Sequence, residues 1–236
     1  MLFTSIVFGQ YGDNVENKIS AADKETLLKY HNIARAQVGS APLTWDTTME
    51  KAGLKCLQDK RPTKMTHGIC KDTPGLEKVG ENLASGGDGP GAAVMFIGEK
   101  CQVPQNSLTS YQSTYSFDDG TGHWSQVVWK DSQRMSCAQI VASGLIYCHY
   151  SPPGNVIGGK TYTKAPSNSD CKGGKFDKTA FLQSSTVQTN GAAPSGTAPT
   201  PTLIPESPQI SIPSPSGTAP SYTPPTSRVK KCYSNK

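Results

Sequence analysis

The chain predicts an α+β domain followed by a long unstructured tail, on three observations. Apolar residues recur at helical spacing in the first half of the region between about residues 18 and 175, and alternating runs dominate its second half. Helices first and antiparallel strands later is the order of an α+β layered fold. From about Ser185 to Thr226 the chain is mostly Ser, Thr, Pro, Gly and Ala, with Glu206 as its only charge. Such a stretch has too few large apolar groups to offset the entropy of ordering it.

Each element has a local cause. Ser20 followed by Asp23 makes a capping-box-like start for the first helix. Leu27, Tyr30, His31, Ala34 and Val38 then follow at helical spacing, and Gly39 offers a stop. A second helix begins at Thr47 with Glu50 three residues on, and runs through Met49, Ala52, Gly53, Cys56 and Leu57 until Pro62. A third covers about Pro90 to Cys101, with Met95, Phe96 and Glu99 on one side. In His123 to Trp129, His123, Ser125, Val127 and Trp129 alternate with Trp124, Gln126 and Val128, which reads as a half-buried strand that begins on a histidine. Ser136 to Val141 and Leu145 to Tyr150 are further strands, with Ser143-Gly144 as a two-residue hairpin turn between them. That register sets Gln139 opposite Cys148. Cys137 then becomes a diagonal neighbour of Cys148 at about 7–8 Å, the outer limit for a disulfide.

Length and composition bound the organisation. The 236 residues divide into a signal remnant and N-terminal extension (1–17), a folded domain (18–165), a linker (166–185) and a disordered Ser/Thr/Pro-rich tail (186–236). Leu2 to Phe8 resembles a short apolar signal core ending at Gly9. The tail carries PSGTAP twice, at Pro194 to Pro199 and Pro215 to Pro220, and ends in Arg228, Lys230, Lys231 and Lys236. Net charge is a modest +5 without a basic stripe on a helix, so no nucleic-acid partner is expected. No transmembrane segment is expected either. The seven cysteines, at 56, 70, 101, 137, 148, 171 and 232, have no C-x-x-C or zinc-finger spacing. They fit a secreted, extracellular protein with disulfides. Cys56–Cys70 is a candidate on nearness in sequence alone, and the pairings of Cys56, Cys70, Cys101, Cys171 and Cys232 are left open.

Four histidines are candidates for chemistry. His31 lies on the apolar face of the first helix and reads as a hydrogen-bonded core residue; His149 alternates within a strand and is expected to be exposed. His67 and His123 each sit beside a glycine at the edge of an element. With Glu81 and Glu99 they make two imidazoles and two carboxylates, a set suited to a divalent metal or to acid–base work. The chain has no H-E-x-x-H, no G-x-S-x-G and no nucleotide-binding fingerprint.

At this point a resemblance enters. GHWSQVVWKDS, residues 122–132, resembles the first signature of the CAP superfamily of cysteine-rich secretory proteins, insect venom antigens and plant pathogenesis-related proteins. LIYCHYSPPGNV, residues 145–156, is similar to its second signature, and HNIAR (31–35), PLTWD (42–46) and GENLA (80–84) match further family segments. The resemblance implies a three-layer α-β-α sandwich around a central antiparallel sheet. It implies that His67, Glu81, Glu99 and His123 gather at the floor of a cleft able to bind a divalent cation, zinc or magnesium. It also implies a Cys137–Cys148 disulfide. Some members resemble carriers of sterols or fatty acids, and Tyr111, Tyr115 and Phe117 are the residues expected to contact such a lipid here. The alternatives are a defence or effector module acting on a protein, cell-surface or wall partner, and a metal-dependent hydrolase. A catalytic reading needs a nucleophile or activated water, and the sequence names neither.

Overall fold

Residues 16–102, 120–140 and 144–188 are described by a computed structural model. Tyr111, Tyr115, Phe117 and Cys232 lie outside these residues, as does all of the second compact unit, Pro194–Lys236.

Helix α1, Ala21–Gln37, begins at Ser20, whose hydroxyl accepts from the Asp23 N–H. It stops before Gly39, at φ +73°, a conformation that costs glycine little. Strand β1, Thr44–Trp45, leads into helix α2, Thr47–Lys60, capped by the Asp46 carboxylate and closed at Arg61 in the left-handed region just before Pro62. Strand β2 is Gly80–Ser85 and helix α3 is Gly89–Gly98, which continues as a 3-10 turn over Glu99–Gln102. Helix α4 is Gly122–Val128, and strands β3, Arg134–Gln139, and β4, Leu145–Ser151, follow. A small hairpin, β5 (Cys171–Lys172) and β6 (Lys175–Phe176), precedes helix α5, Lys178–Gln188.

The main sheet has the order β1-β3-β4-β2. Strands β3, β4 and β2 are antiparallel, and the two-residue β1 joins β3 in parallel. Strand alternation sends Met135, Cys137, Ile146, Cys148 and Tyr150 toward α1, α3 and α4, where they join Leu27, Phe96, Trp124 and Val127 in one core. Ala138, Leu145 and Tyr147 point the other way and pack with Leu57 of α2. Helices thus cover both faces of the sheet. This is the three-layer α-β-α sandwich. Among the described residues no helix is long and apolar enough to cross a membrane.

Four expectations are corrected. Residues 122–128 are a helix and not a strand. Trp124, Ser125, Gln126, Val127 and Val128 are all buried, so the helix has no polar face and the period-two pattern marked no boundary between core and water. The β3–β4 connection is longer than two residues, and Cys137 stands directly opposite Cys148 at a Cα separation of 4.0 Å. Opposite residues of a non-hydrogen-bonded pair approach to about 4.5 Å, so the bridge forms across the ladder and not diagonally. His149 is fully buried, because α2 covers its face of the sheet. The 166–185 segment is no linker: Asp170 and Phe181 are buried, and the Phe181 ring packs edge-on against Tyr30 of α1 at 6.3 Å.

Among the described residues three disulfides pair Cys56 with Cys70, Cys101 with Cys171 and Cys137 with Cys148.

Candidate functional site

The site grows from the start of α4. Thr121, at its N-cap, makes no side-chain capping bond. The Glu99 carboxylate does this from the 3-10 turn, accepting from the N–H groups of His123 at 2.8 Å and Trp124 at 3.1 Å. Its other oxygen contacts His123 Nδ1 at 2.5 Å. A carboxylate at exposed helix N–H groups is favoured by both hydrogen bonding and the local dipole. The His123 ring is stacked on Phe96 of α3, with centroids 4.9 Å apart, and its side chain remains one-third exposed.

The chain after β4 holds the same turn from outside. Asn155 donates to the Gly122 carbonyl at 2.8 Å and accepts from the Ser125 hydroxyl at 2.7 Å. The Gly154 N–H donates to Gln126 Oε1 at 2.9 Å. Gly80 must be glycine for this packing, since a Cβ there would lie 2.0 Å from the same Gln126 oxygen. At the other end of α4, Arg35 is buried and its guanidinium donates to the carbonyls of Val127, Trp129 and Ser132 at 2.7 to 3.0 Å. Burial without a carboxylate partner lowers its pKa to about 10, which leaves it charged at neutral pH.

Beneath His123, Asn82 of β2 donates to the His123 carbonyl at 2.9 Å and to the Tyr150 hydroxyl at 3.2 Å. Tyr150 and His31 are 2.8 Å apart, and His31 Nδ1 lies 2.8 Å from the Leu27 carbonyl. A carbonyl only accepts, so Nδ1 carries the proton and Tyr150 donates to Nε2. Burial raises the Tyr150 pKa and keeps it a donor.

Glu81 precedes Asn82 on β2, and strand alternation turns it to the α2 side. Its Oε2 accepts from the Gly68 N–H at 2.7 Å and meets His67 Nδ1 at 3.2 Å. Its Oε1 lies 3.7 Å from Nε2 of His149, its cross-strand partner, too far for a hydrogen bond. Burial alone would raise the Glu81 pKa, but His149, His67 and the Gly68 N–H more than offset this and bring it down to about 2. Glu81 is therefore ionised at neutral pH.

The four residues expected from the sequence thus stand as two contacts, His67–Glu81 and His123–Glu99. Their donor set of two imidazoles and two carboxylates suits a divalent ion. Among the described residues no three His, Cys, Asp or Glu side chains already enclose a common metal position. Sequence reasoning missed His149, which no motif singles out, and the positioning roles of Asn82 and Asn155. Both asparagines lie within GENLA and PPGN, so those segments were the available signal.

Comparison with known proteins agrees with this architecture. The family model described as cysteine-rich secretory protein family, CAP, matches residues 28–150. Pathogenesis-related protein 1B of Nicotiana tabacum is 35% identical over 146 residues, which cover 59% of this chain and 80% of that protein. Pathogenesis-related protein 1 of Arabidopsis thaliana is 33% identical over 148 residues, covering 59% and 82%. Venom allergen 5 of Microctonus hyperodae is 28% identical over 182 residues, covering 61% and 73%. A crystal structure of NaASP2 with Zn2+ matches with a TM-score of 0.51 and 22% identity, covering 70% of this chain and 97% of that one, a likeness that bears on the fold alone. The chain belongs to the cysteine-rich secretory protein family, CAP.

Proposed function

We propose that the protein is an exported binding protein that takes a divalent cation, zinc or magnesium, at its His67–Glu81 and His123–Glu99 pairs. One observation carries this reading: each glutamate is already held against a histidine, Glu81 by the Gly68 N–H and Glu99 by the first turn of α4. A ligand carboxylate must be ionised, and Glu81 is. The bound ion would supply positive charge that ties the two pairs together. Three disulfides among the described residues support export.

The same reading gives the protein a small lipid cargo, a sterol or fatty acid, on the strength of Tyr111, Tyr115 and Phe117 in the sequence. A protein or cell-surface partner is the alternative. The test is native mass spectrometry of the secreted chain with metal and lipid extraction, followed by zinc and magnesium titration of the metal-free protein. The expected result is stoichiometric cation binding, weakened about tenfold or more in His123→Ala and Glu81→Gln. Unchanged binding in both variants rejects the cation site. Bound or acquired sterol that is lost in Tyr115→Ala/Phe117→Ala supports the carrier role; an empty protein that refuses added sterol and fatty acid moves the function to a surface partner.

A further inference from the structure

The chain leaves α2 through a basic loop. Residues 60–71, KRPTKMTHGICK, carry Lys60, Arg61, Lys64 and Lys71 and no Asp or Glu. All four are exposed, and none of them forms an ion pair among the described residues. The acid just before the run, Asp59, is taken by Lys55 at 3.0 Å. A helix C-terminus favours cations only within its last turn. That accounts for Lys60 and Arg61, the last residue of α2 and its C-cap, but not for Lys64 and Lys71.

The loop is also held in shape. The Cys56–Cys70 disulfide ties its far end back to α2. The Gly68 N–H donates to Glu81 Oε2 at 2.7 Å, and the Tyr147 hydroxyl lies 3.4 Å from both the Thr66 nitrogen and the Thr66 carbonyl oxygen. Like charges gathered on a fixed loop repel one another, a cost that a polyanion relieves on binding.

The surface favours a water-soluble polyanion over a membrane. Met65, 52% exposed, is the only large apolar side chain exposed on it, and firm attachment to a lipid surface needs buried apolar area as well as charge. Thr63 and Thr66 are exposed beside the cations and offer hydroxyls that can hydrogen-bond a sugar. Short Lys/Arg-rich runs serve nucleic acids or acidic glycans. For an exported chain the glycan is the polyanion at hand.

We propose that residues 60–71 form a docking surface for an acidic polysaccharide, a chain of carboxylate- or sulfate-bearing sugars. Arg61 can hold one anionic group through two parallel N–H donors, while Lys60, Lys64 and Lys71 act as point charges along the chain. The inference rests on the export reading above only for the choice of polyanion, and on the cation reading not at all.

The test titrates the purified full-length chain with polygalacturonate and with dextran sulfate, beside neutral dextran and vesicles of phosphatidylcholine with phosphatidylserine. Its lysines are then acetylated with and without the glycan. The expected result is binding to at least one acidic glycan and none to neutral dextran. Affinity should fall about tenfold or more between about 50 and about 200 mM salt. Lys60, Lys64 and Lys71 should be shielded from acetylation. Lys60→Gln/Arg61→Gln/Lys64→Gln should weaken binding about tenfold or more. Removing equal charge at the exposed Lys29, Lys160 and Lys175 should change it by no more than about threefold. Binding to neither acidic glycan overturns the inference. So does shielding confined to Lys230, Lys231 and Lys236, which would assign the binding to the basic C-terminus, and so do vesicles bound as tightly as the glycan. The purified chain binds or fails to bind whether or not it is exported, so the outcome is separate from that reading. Shielding is read on the unmutated protein and decides the matter even if the triple variant does not fold.

Discussion

His31 shows how a single buried residue writes a pH dependence into the fold. It is needed as a neutral imidazole with its proton on Nδ1, between the Leu27 carbonyl and the Tyr150 hydroxyl. Burial, which outweighs the Leu27 hydrogen bond, lowers its pKa from 6.5 to about 4. The unfolded chain therefore takes up a proton that the folded one resists. The contribution of His31 is fully present above about pH 6.5 and is lost as pH falls through about 4, amounting to about 3 kcal/mol across the window. Urea titrations at pH 7 and pH 4.5 should show this loss, and His31→Gln should flatten it; equal slopes in both proteins would refute the assignment. His31 as a core residue is legible in the sequence from its place on the apolar face of α1. His149 is not, because exposure in a strand depends on what lies over its face, and α2 is distant in sequence.

At the scale of the element, α4 depends on a residue outside itself. Its N-cap makes no side-chain capping bond, and the Glu99 carboxylate holds the His123 and Trp124 N–H groups instead. Glu99→Ala should cost about 1–3 kcal/mol, the loss of charge-assisted bonds to two backbone donors. Hydrogen exchange should accelerate at the His123 and Trp124 amides; unchanged exchange there would show that the cap is dispensable. Gly80→Ala acts on the same helix by overpacking, since its Cβ would fall on Gln126. It should destabilise the protein by about 1–3 kcal/mol, read as a lower denaturation midpoint. Neither role can be read from spacing. Alternating residues in GHWSQVV suggested a strand because periodicity distinguishes elements only when one face meets water, and here five of the residues in the helix are buried.

At the scale of the molecule, the C-terminal segment beyond the family match is fastened to the helix that leads to Glu99. The two residues that follow Glu99 make the fastening: Lys100 forms a buried ion pair with Asp170 at 2.8 Å, and Cys101 is bonded to Cys171. Burial lowers the Lys100 pKa, and Asp170 opposes that shift. Removing one partner strands the other charge, so Lys100→Met should cost about 3–5 kcal/mol. The double replacement Lys100→Met/Asp170→Leu should recover most of that loss, measured by denaturant unfolding; a double variant as weak as the single would place the stability elsewhere. The Cys101–Cys171 bridge spans 70 residues, and Cys137–Cys148 only 11. Loop-closure entropy therefore assigns the longer bridge the larger share, about 4 kcal/mol against about 3.

By itself the sequence determined what local chemistry decides. Ser20 starts the first helix and Thr47 begins the second, Gly39 and Pro62 stand where helices end, and the runs that contain Ser136 and Leu145 are strands. It also offered His67, Glu81, Glu99 and His123 as a candidate set: Glu81 and His123 lie inside recognisable segments, His67 stands in a His-Gly pair and Glu99 on the third helix. The tertiary structure decided what depends on neighbours remote along the chain. Only the packing of α2 over β4 buries His149 beside Glu81, and only the pairing of residues 100 and 101 with 170 and 171 makes the C-terminal segment part of the domain. Burial and partnership between distant segments are properties of the packed layers, and periodicity carries no record of which layer will lie on which.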